Sequence, residues 1–317
     1  MRILVILDPL PLIKPYKDST YAMMVEAAAR GHELFVCEQH HLSLADGRAM
    51  VRAQPLRITD ATGGSGPWYE TGEPLHEPVA AFGAVLMRKD PPFDMEYVAS
   101  TWLLEHAVRE GARVFNDPLA IRNHNEKLAI AEFPQYAAPT LVTRSAADLR
   151  AFVDAHGEAV FKLLDGMGGT SVFLARRGDP NLSVIIETLN RFGERTVMAQ
   201  RFLPEIRDGD KRVLLIGGKV VPFSLARLPK GGEFRGNLAA GGTGVARPLS
   251  ARDTEIAEAL APVLAARGLL LVGLDLIGEF ITEINVTSPT CFQEIRQQAG
   301  YDVAGLFIDE LEAASAR

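Results

Sequence analysis

The stretch Leu274–Thr290, LDLIGEFITEINVTSPT, decides how this chain is read. Two apolar runs meet at Gly278-Glu279 and spell a β-hairpin, yet Asp275 lies on its first strand and Glu283 and Asn285 on its second. Residues two apart on a strand share a face, so Glu283 and Asn285 point the same way. A two-residue connection at Gly278-Glu279 sets Asp275 opposite Thr282. A three-residue connection with a glycine bulge sets it opposite Glu283, and that second register is expected. Solvation is the ordinary fate of any one acid, but the run LLLVGLDLIG, Leu269–Gly278, is too apolar for an exposed strand. A polar group buried unpaired costs about 1–3 kcal/mol on the mutational scale, and a charge costs more, so something must hold these oxygens. Two carboxylates and an amide oxygen are hard donors suited to Mg²⁺, which commonly takes one or two protein carboxylates together with phosphate oxygens.

Outward from the hairpin, the chain changes grammar once. RILVILD (Arg2–Asp8) reads as a buried strand, a helix from Ser19 to Arg30 closes at Gly31, and HELFVC (His32–Cys37) is a second strand, together a βαβ unit. GAVLMR (Gly83–Arg88), a helix from Asp94 to Glu110 and ARVFN (Ala112–Asn116) continue the alternation, so a parallel sheet is expected, with residues 61–78 as an irregular surface excursion. After Asn116 antiparallel pairs dominate. EAVFKLLDGMGGTSVFLARR (Glu158–Arg177) gives two strands around a glycine loop, and KRVLLIGGKVVPFSLARL (Lys211–Leu228) a hairpin turned at Gly217-Gly218. The expected organisation is an α/β domain over 1–121, a lobe carrying the glycine loop over 122–202, and a final lobe over 203–317.

Within KLLDGMGGTSV, Lys162 precedes Gly166, Gly168 and Gly169. Glycine backbone can approach phosphate oxygens and aim N–H groups at them while a lysine adds compact positive charge. No GxxxxGK[ST] occurs, and the first strand lacks GxGxxG, so P-loop and dinucleotide-binding readings lose their main support. The second glycine-rich stretch, Arg227–Gly244, carries Arg227, Arg235 and Asn237 and reads as a flexible lid over an anionic substrate, within reach of Arg212. The formal charge of −7 excludes the basic face that nucleic acid or an anionic membrane needs. Only Cys37 and Cys291 are present, which fits a reducing, cytoplasmic compartment, and Cys291 reads as a small buried residue. No apolar run reaches the roughly 20 residues of a membrane helix, and the first residues read as structure rather than as a leader. The scattered histidines suggest no zinc site.

MRKDPPFD, NEKL, LDGMGG, PNL, MAQ, DGDKRVL, RGNLAAGG, VGLD and TEINVTSPTC now stand together. On these segments the chain resembles, essentially end to end, the bacterial glutathione synthetases of the ATP-grasp superfamily, with Leu163 where that family usually has proline. The resemblance implies a two-lobed α+β ATP-grasp domain behind the α/β domain. It implies an ATP-dependent ligase that joins γ-L-glutamyl-L-cysteine to glycine through an acyl phosphate, using two Mg²⁺ ions, for which Mn²⁺ could substitute. By position, ATP would meet Lys127, Lys162, Gly166, Gly168, Gly169, the hinge Gln200, Arg201, Phe202 and Leu203, and Asp210. Metal would be held by Asp275, Glu283 and Asn285, and Arg212, Arg235 and Asn237 would face the transferring phosphoryl group. Asp18, Ser19, Arg88, Arg227, Ser288, Pro289 and Thr290 would receive the dipeptide. Its partners would be small molecules and other copies of itself, in the cytoplasm. Two rivals differ in class: a ligase for another amino acid, as D-alanine ligases are, and a nucleotide-binding regulator without turnover.

Overall fold

The computed structural model describes residues 1–64, 66–231, 236 and 242–316. Its first sheet is built on Arg2–Ile6, which is buried almost throughout because helices cover both faces. This strand pairs in parallel with Glu33–Cys37 on one side and Ala84–Met87 on the other, and Val114–Phe115 continues the parallel order. Asp18 and Asp94 start the two helices, Ser19–Ala29 and Met95–Arg109, by accepting hydrogen bonds from Tyr21 N and Tyr97 N.

The sheet is parallel only in this part. Arg48–Ile58 runs antiparallel to Glu33–Cys37 and also pairs with Leu42–Ala45, Tyr69–Thr71 and Leu75–Pro78. Residues 61–78, expected to be irregular, therefore contain two edge strands. The turn that starts this extension is Asp46-Gly47, both at positive φ (+51° and +75°), a combination that matches the twist of a hairpin. Edge strands of three and four residues are too short to show a period-two pattern in sequence.

The second sheet is antiparallel, in the order Phe173–Arg176, Glu158–Leu163, Val197–Arg201, Thr140–Thr143. Helices Ala146–His156 and Leu182–Asn190 close its core, in which Leu149, Phe161, Leu163, Ile186 and Val197 meet. Leu163 thus extends the strand by one pair, to Val197, and joins this core.

The third sheet, also antiparallel, runs Thr243–Pro248, Lys219–Leu228, Asp210–Ile216, Leu271–Ile277, Phe280–Asn285. One face packs Val213, Leu215 and Leu274 against Ile256, Leu260 and Leu264 of helix Ala251–Ala266. The other face packs Leu214, Ile216 and Leu225 against Phe292, Phe307 and Ile308 from helices Phe292–Ala299 and Val303–Ser315. That same core contains Ile3, Val5, Met23 and Leu86, so the last two helices fill the space between the first and third sheets.

Asn116 stitches the two sheets with polar contacts. Its Nδ2 donates to Leu271 O at 2.7 Å and Val286 O at 2.8 Å, and its Oδ1 accepts from Leu271 N at 2.8 Å. Asn116→Ala leaves these buried backbone groups unpaired and should destabilise the protein by about 2–4 kcal/mol, read as a lower urea midpoint than that of wild type.

Candidate active site

The hairpin that opened the reading turns at Gly278, φ +57°, with Ile277 opposite Phe280. The next pair is Leu276 with Ile281, after which the register shifts and Asp275 stands opposite Glu283. The expected register is present, but the three-residue connection is not: the turn has two residues, and Thr282 is the extra one. A bulge within the second strand does what a longer turn was expected to do, by returning both carboxylates to one face.

Asp275 is only 4% exposed, and its charge is answered from the next two strands of the sheet. Arg212, directly opposite on Asp210–Ile216, places Nε 2.5 Å from Oδ1 and Nη2 2.9 Å from Oδ2. Arg227 Nη2 lies 2.9 Å from the same Oδ2 and 2.5 Å from Asp210 Oδ2. Burial pushes the Asp275 carboxyl up, but the two guanidiniums beside it outweigh burial and hold it below the usual carboxylate range. For Asp210 the balance reverses: burial wins over Arg227, aided by the neighbouring Asp275 charge, and its carboxyl rises to about 6. Its Oδ1 is buried without a hydrogen-bond partner among the described residues.

On the other strand of the hairpin, Glu283 Oε1 lies 3.5 Å from Lys162 Nζ and 3.7 Å from Lys127 Nζ. Lys127 Nζ also donates to Gly166 O at 2.5 Å, which ties the glycine loop to the same point. Asn285 donates Nδ2 to Gly273 O at 3.2 Å. Lys127, Lys162, Asp275 and Glu283, but not Asn285, line one wall of a cleft between the second and third sheets, with about 880 Å³ of empty space including its opening to solvent. Gly166, Gly168 and Gly169 form another wall, and Gln200, Arg201, Phe202 and Leu203 a third, with Asp210 at the base. The charged side chains that line the cleft balance, Lys127, Lys162 and Arg201 against Asp210, Asp275 and Glu283, and Arg212 and Arg227 behind Asp275 make the surroundings positive.

The structure therefore brings together Lys127, Lys162, the loop glycines, Gln200 to Leu203, Asp210, Asp275 and Glu283. Arg212 and Arg227 do not line the cleft, but stand behind Asp275. Arg235 and Asn237 lie outside the described residues, as does much of the expected lid. The remaining expected residues form a second group. Arg88 is buried, with Nε on Thr20 Oγ1 at 3.1 Å and Nη2 on Pro289 O at 3.0 Å, and has no carboxylate within ion-pair distance among the described residues. Ser288 Oγ donates to Arg88 O at 3.3 Å, Ser19 Oγ accepts from Phe292 N, and Asp18 caps its helix. Thr290 is exposed beside Cys291.

Glu126 escaped the sequence reading, which took only the lysine from NEKL. Its Oε1 accepts from Val286 N at 2.8 Å, Thr287 N at 3.0 Å and Thr287 Oγ1 at 2.9 Å, and its carbonyl accepts from Ile284 N at 2.8 Å. It thus fixes Lys127 against the strand that carries Glu283. Met167, Thr170 and Ile206 also line the cleft, and no signal in a single sequence distinguishes them from ordinary loop and core residues.

Comparison with known proteins decides the family. A model of the prokaryotic glutathione synthetase N-terminal domain matches residues 1–122, and one of the prokaryotic glutathione synthetase ATP-grasp domain matches residues 126–300. The chain belongs to the prokaryotic glutathione synthetase family. The glutathione synthetase of Ralstonia nicotianae is 61% identical, over 100% of this chain and 97% of that one. The glutathione synthetase of Nitrosomonas europaea is 58% identical, over 100% and 99%. Solved structures share the fold: the ATP-grasp ligase PsnB, complexed with a minimal precursor, Mg and ADP, has a TM-score of 0.63 at 17% identity, covering 100% of this chain and 98% of PsnB. D-cycloserine synthetase DcsG has a TM-score of 0.67 at 16% identity, covering 99% of this chain and 100% of DcsG. Like them, this glutathione synthetase family member has the architecture of an ATP-dependent ligase.

Two expectations follow. An added Cβ at Gly273 would meet Arg212 Cδ at 2.8 Å and Pro289 Cβ at 2.9 Å. Gly273→Ala should therefore displace Arg212 from Asp275 and lower kcat by about 10²-fold, as a misplacement near 1 Å does, measured by steady-state turnover. Asp210 titrates at an ordinary 3.8 when unfolded but near 6 when folded, so the folded protein holds an extra proton in that interval and loses stability as pH rises through it. Relative to Asp210→Asn, the wild type should lose up to about 3 kcal/mol between about pH 4 and pH 6, measured by urea unfolding at each pH.

Proposed function

We propose that the cleft binds ATP and that the enzyme joins γ-L-glutamyl-L-cysteine to glycine, forming glutathione, ADP and phosphate. The observation that carries this reading is the convergence of two buried lysines on one carboxylate beside a glycine loop: Lys127 and Lys162 on Glu283. Two cations facing a single anion leave room for a polyanion. The hinge Gln200 to Leu203 supports an adenine on the opposite side, and Gly166, Gly168 and Gly169 allow backbone to approach its phosphates. Asp210, with an orphaned oxygen at the base of the cleft, is suited to a hydroxyl or a cation.

The donor set fits Mg²⁺. Among the described residues Glu283 has no hydrogen bond closer than its lysine contacts, and Asn285 engages Nδ2 but not Oδ1, so both offer hard oxygens beside Asp275. Glu283, Asn285 and Asp275 would hold the metal, one or two ions, and Mn²⁺ could replace it. When bound it neutralises phosphate charge.

A carboxylate resists acyl substitution because its oxide is a poor leaving group. An oxygen of the cysteinyl carboxylate attacks the γ-phosphorus of ATP, ADP departs, and an acyl phosphate forms. The neutral amine of glycine then attacks the carbonyl carbon, phosphate leaves, and the amine's proton is released. Lys127 and Lys162 stabilise charge on the phosphates, and Arg212 and Arg227 keep Asp275 ionised, so catalysis is positioning and electrostatics. Arg88, a buried guanidinium without an ion-pair partner among the described residues, would take a carboxylate of the dipeptide, with Asp18, Ser19, Ser288, Pro289 and Thr290 around it. Arg235 and Asn237, which lie outside the described residues, would serve the transferring phosphoryl group from a lid expected over 227–244. The functional division follows 1–121, 122–202 and 203–317, in an enzyme expected to work in the cytoplasm as a homo-oligomer. Among the described residues no helix is long and apolar enough to cross a membrane.

ADP release with Mg-ATP and γ-glutamylcysteine, with and without glycine, tests the reading. Turnover that requires both, with glutathione as product, is expected. Turnover dependent on D-alanine instead would move the enzyme to another ligase class, and nucleotide binding without turnover on any pair would make it a regulator.

A further inference from the structure

The entry to the glycine loop is held from two directions. On one side Asn125 Nδ2 donates to Leu164 O at 3.1 Å and Lys127 Nζ to Gly166 O at 2.5 Å. On the other side the residue between them, Asp165, is gripped by Arg195, whose Nη2 lies 2.6 and 2.7 Å from its two carboxylate oxygens. Lys127 belongs to the phosphate machinery proposed above. Arg195 does not line the cleft at all.

Arg195 follows an unusual turn. Arg191 and Phe192 are both left-handed, at φ +49° and +55°, before Gly193 at +91°. Side chains other than glycine rarely adopt that conformation, and it persists only where the surroundings enforce it. Here Asn190 O accepts from both Gly193 N at 3.1 Å and Arg195 N at 2.8 Å, while Asn190 Nδ2 donates to Arg144 O at 3.1 Å. Phe192 is left 84% exposed, so burial of its ring is not what the strain secures. What the pinned turn does achieve is a fixed origin for the Arg195 side chain, which spans to Asp165.

We propose that Arg195 is a positioning residue for the nucleotide: through Asp165 it sets the entry of the glycine loop, and so the distance at which the loop meets the phosphates. The proposal rests on the reading of the cleft as an ATP site. The side chains are 57% exposed at Asp165 and 28% at Arg195, and ion pairs in such settings contribute little to folding stability. Their effect should therefore show in nucleotide affinity rather than in folding. A pair this exposed is also screened by salt, unlike the buried contacts of Lys127.

The test compares wild type with Arg195→Ala, Arg195→Lys and the exchanged pair Asp165→Arg/Arg195→Asp, using steady-state kinetics for all three substrates, calorimetric titration with ADP, and thermal unfolding. Arg195→Ala should raise KM for ATP and Kd for ADP roughly two- to fivefold, with kcat and the other KM values within about twofold. Arg195→Lys and the exchanged pair should recover most of that loss. Added salt should weaken ADP binding by wild type more than by Arg195→Ala. An unchanged KM for ATP in Arg195→Ala would overturn the proposal. So would a fall in kcat and unfolding temperature together with a rise in every KM, which marks a merely structural contact, or failure of both conservative variants to recover affinity. A wild type that binds no ADP would defeat the underlying ATP reading itself, an outcome separate from any difference among the variants.

Discussion

The site depends on keeping one carboxylate, Asp275, ionised at 4% exposure. Desolvation alone would protonate it, and the structure prevents this with two guanidiniums delivered from two neighbouring strands. The geometry that allows it is tight: glycine at 273 leaves space for the Arg212 stem, and the Thr282 bulge turns Glu283 to the same face. Removing one arginine would leave a buried charge half answered, a loss of several kcal/mol in comparable buried pairs. The arrangement is costly as a stabiliser of the fold, and its logic is electrostatic: Arg227 is shared between Asp275 and Asp210, so the two acids settle at opposite ends of the carboxylate range.

The same economy extends outward. NEKL supplies Lys127 to the cleft, Asn125 to the glycine loop, and Glu126 to the end of the strand bearing Glu283 and Asn285. Three consecutive residues, Asn125 to Lys127, thereby hold the glycine loop and the hairpin strand to one segment. The cleft walls come from two sheets, and Met198 and Val142 of the second pack into the core of the third, so these polar ties add to an apolar contact in fixing their relative placement.

Much of this was legible because the chemistry writes itself into local patterns. Alternation of buried strands and capped helices disclosed the first sheet's parallel part, and Asp275, Glu283 and Lys162 stood out because charged residues interrupt runs of Leu, Ile and Val. Gly217-Gly218 gave its hairpin away, since both residues adopt positive φ, +58° and +82°. What stayed hidden depended on contacts distant along the chain. The strand Arg48–Ile58 alternates weakly because Pro55, Gln54 and Arg57 interrupt it, and its partners are short. Glu126 looked like a neighbour of a lysine because its three hydrogen-bond donors lie 160 residues onward or more. The bulge at Thr282 and the longer turn give the same register, and only coordinates distinguish them.

The core shared by the first and third sheets bears on how the chain emerges during synthesis. Domains generally fold from the N-terminus as they are made. Here the face of the first sheet that carries Ile3, Val5 and Met23 is completed by Phe307, Ile308 and Leu311, about 300 residues onward. Arg30 waits for the same helix, pairing with Asp309 at 2.6 Å and Gly305 O at 3.0 Å. The nascent N-terminal domain must therefore carry an open apolar face until Phe307 to Leu311 have been made, and this core closes only when their helix leaves the ribosome.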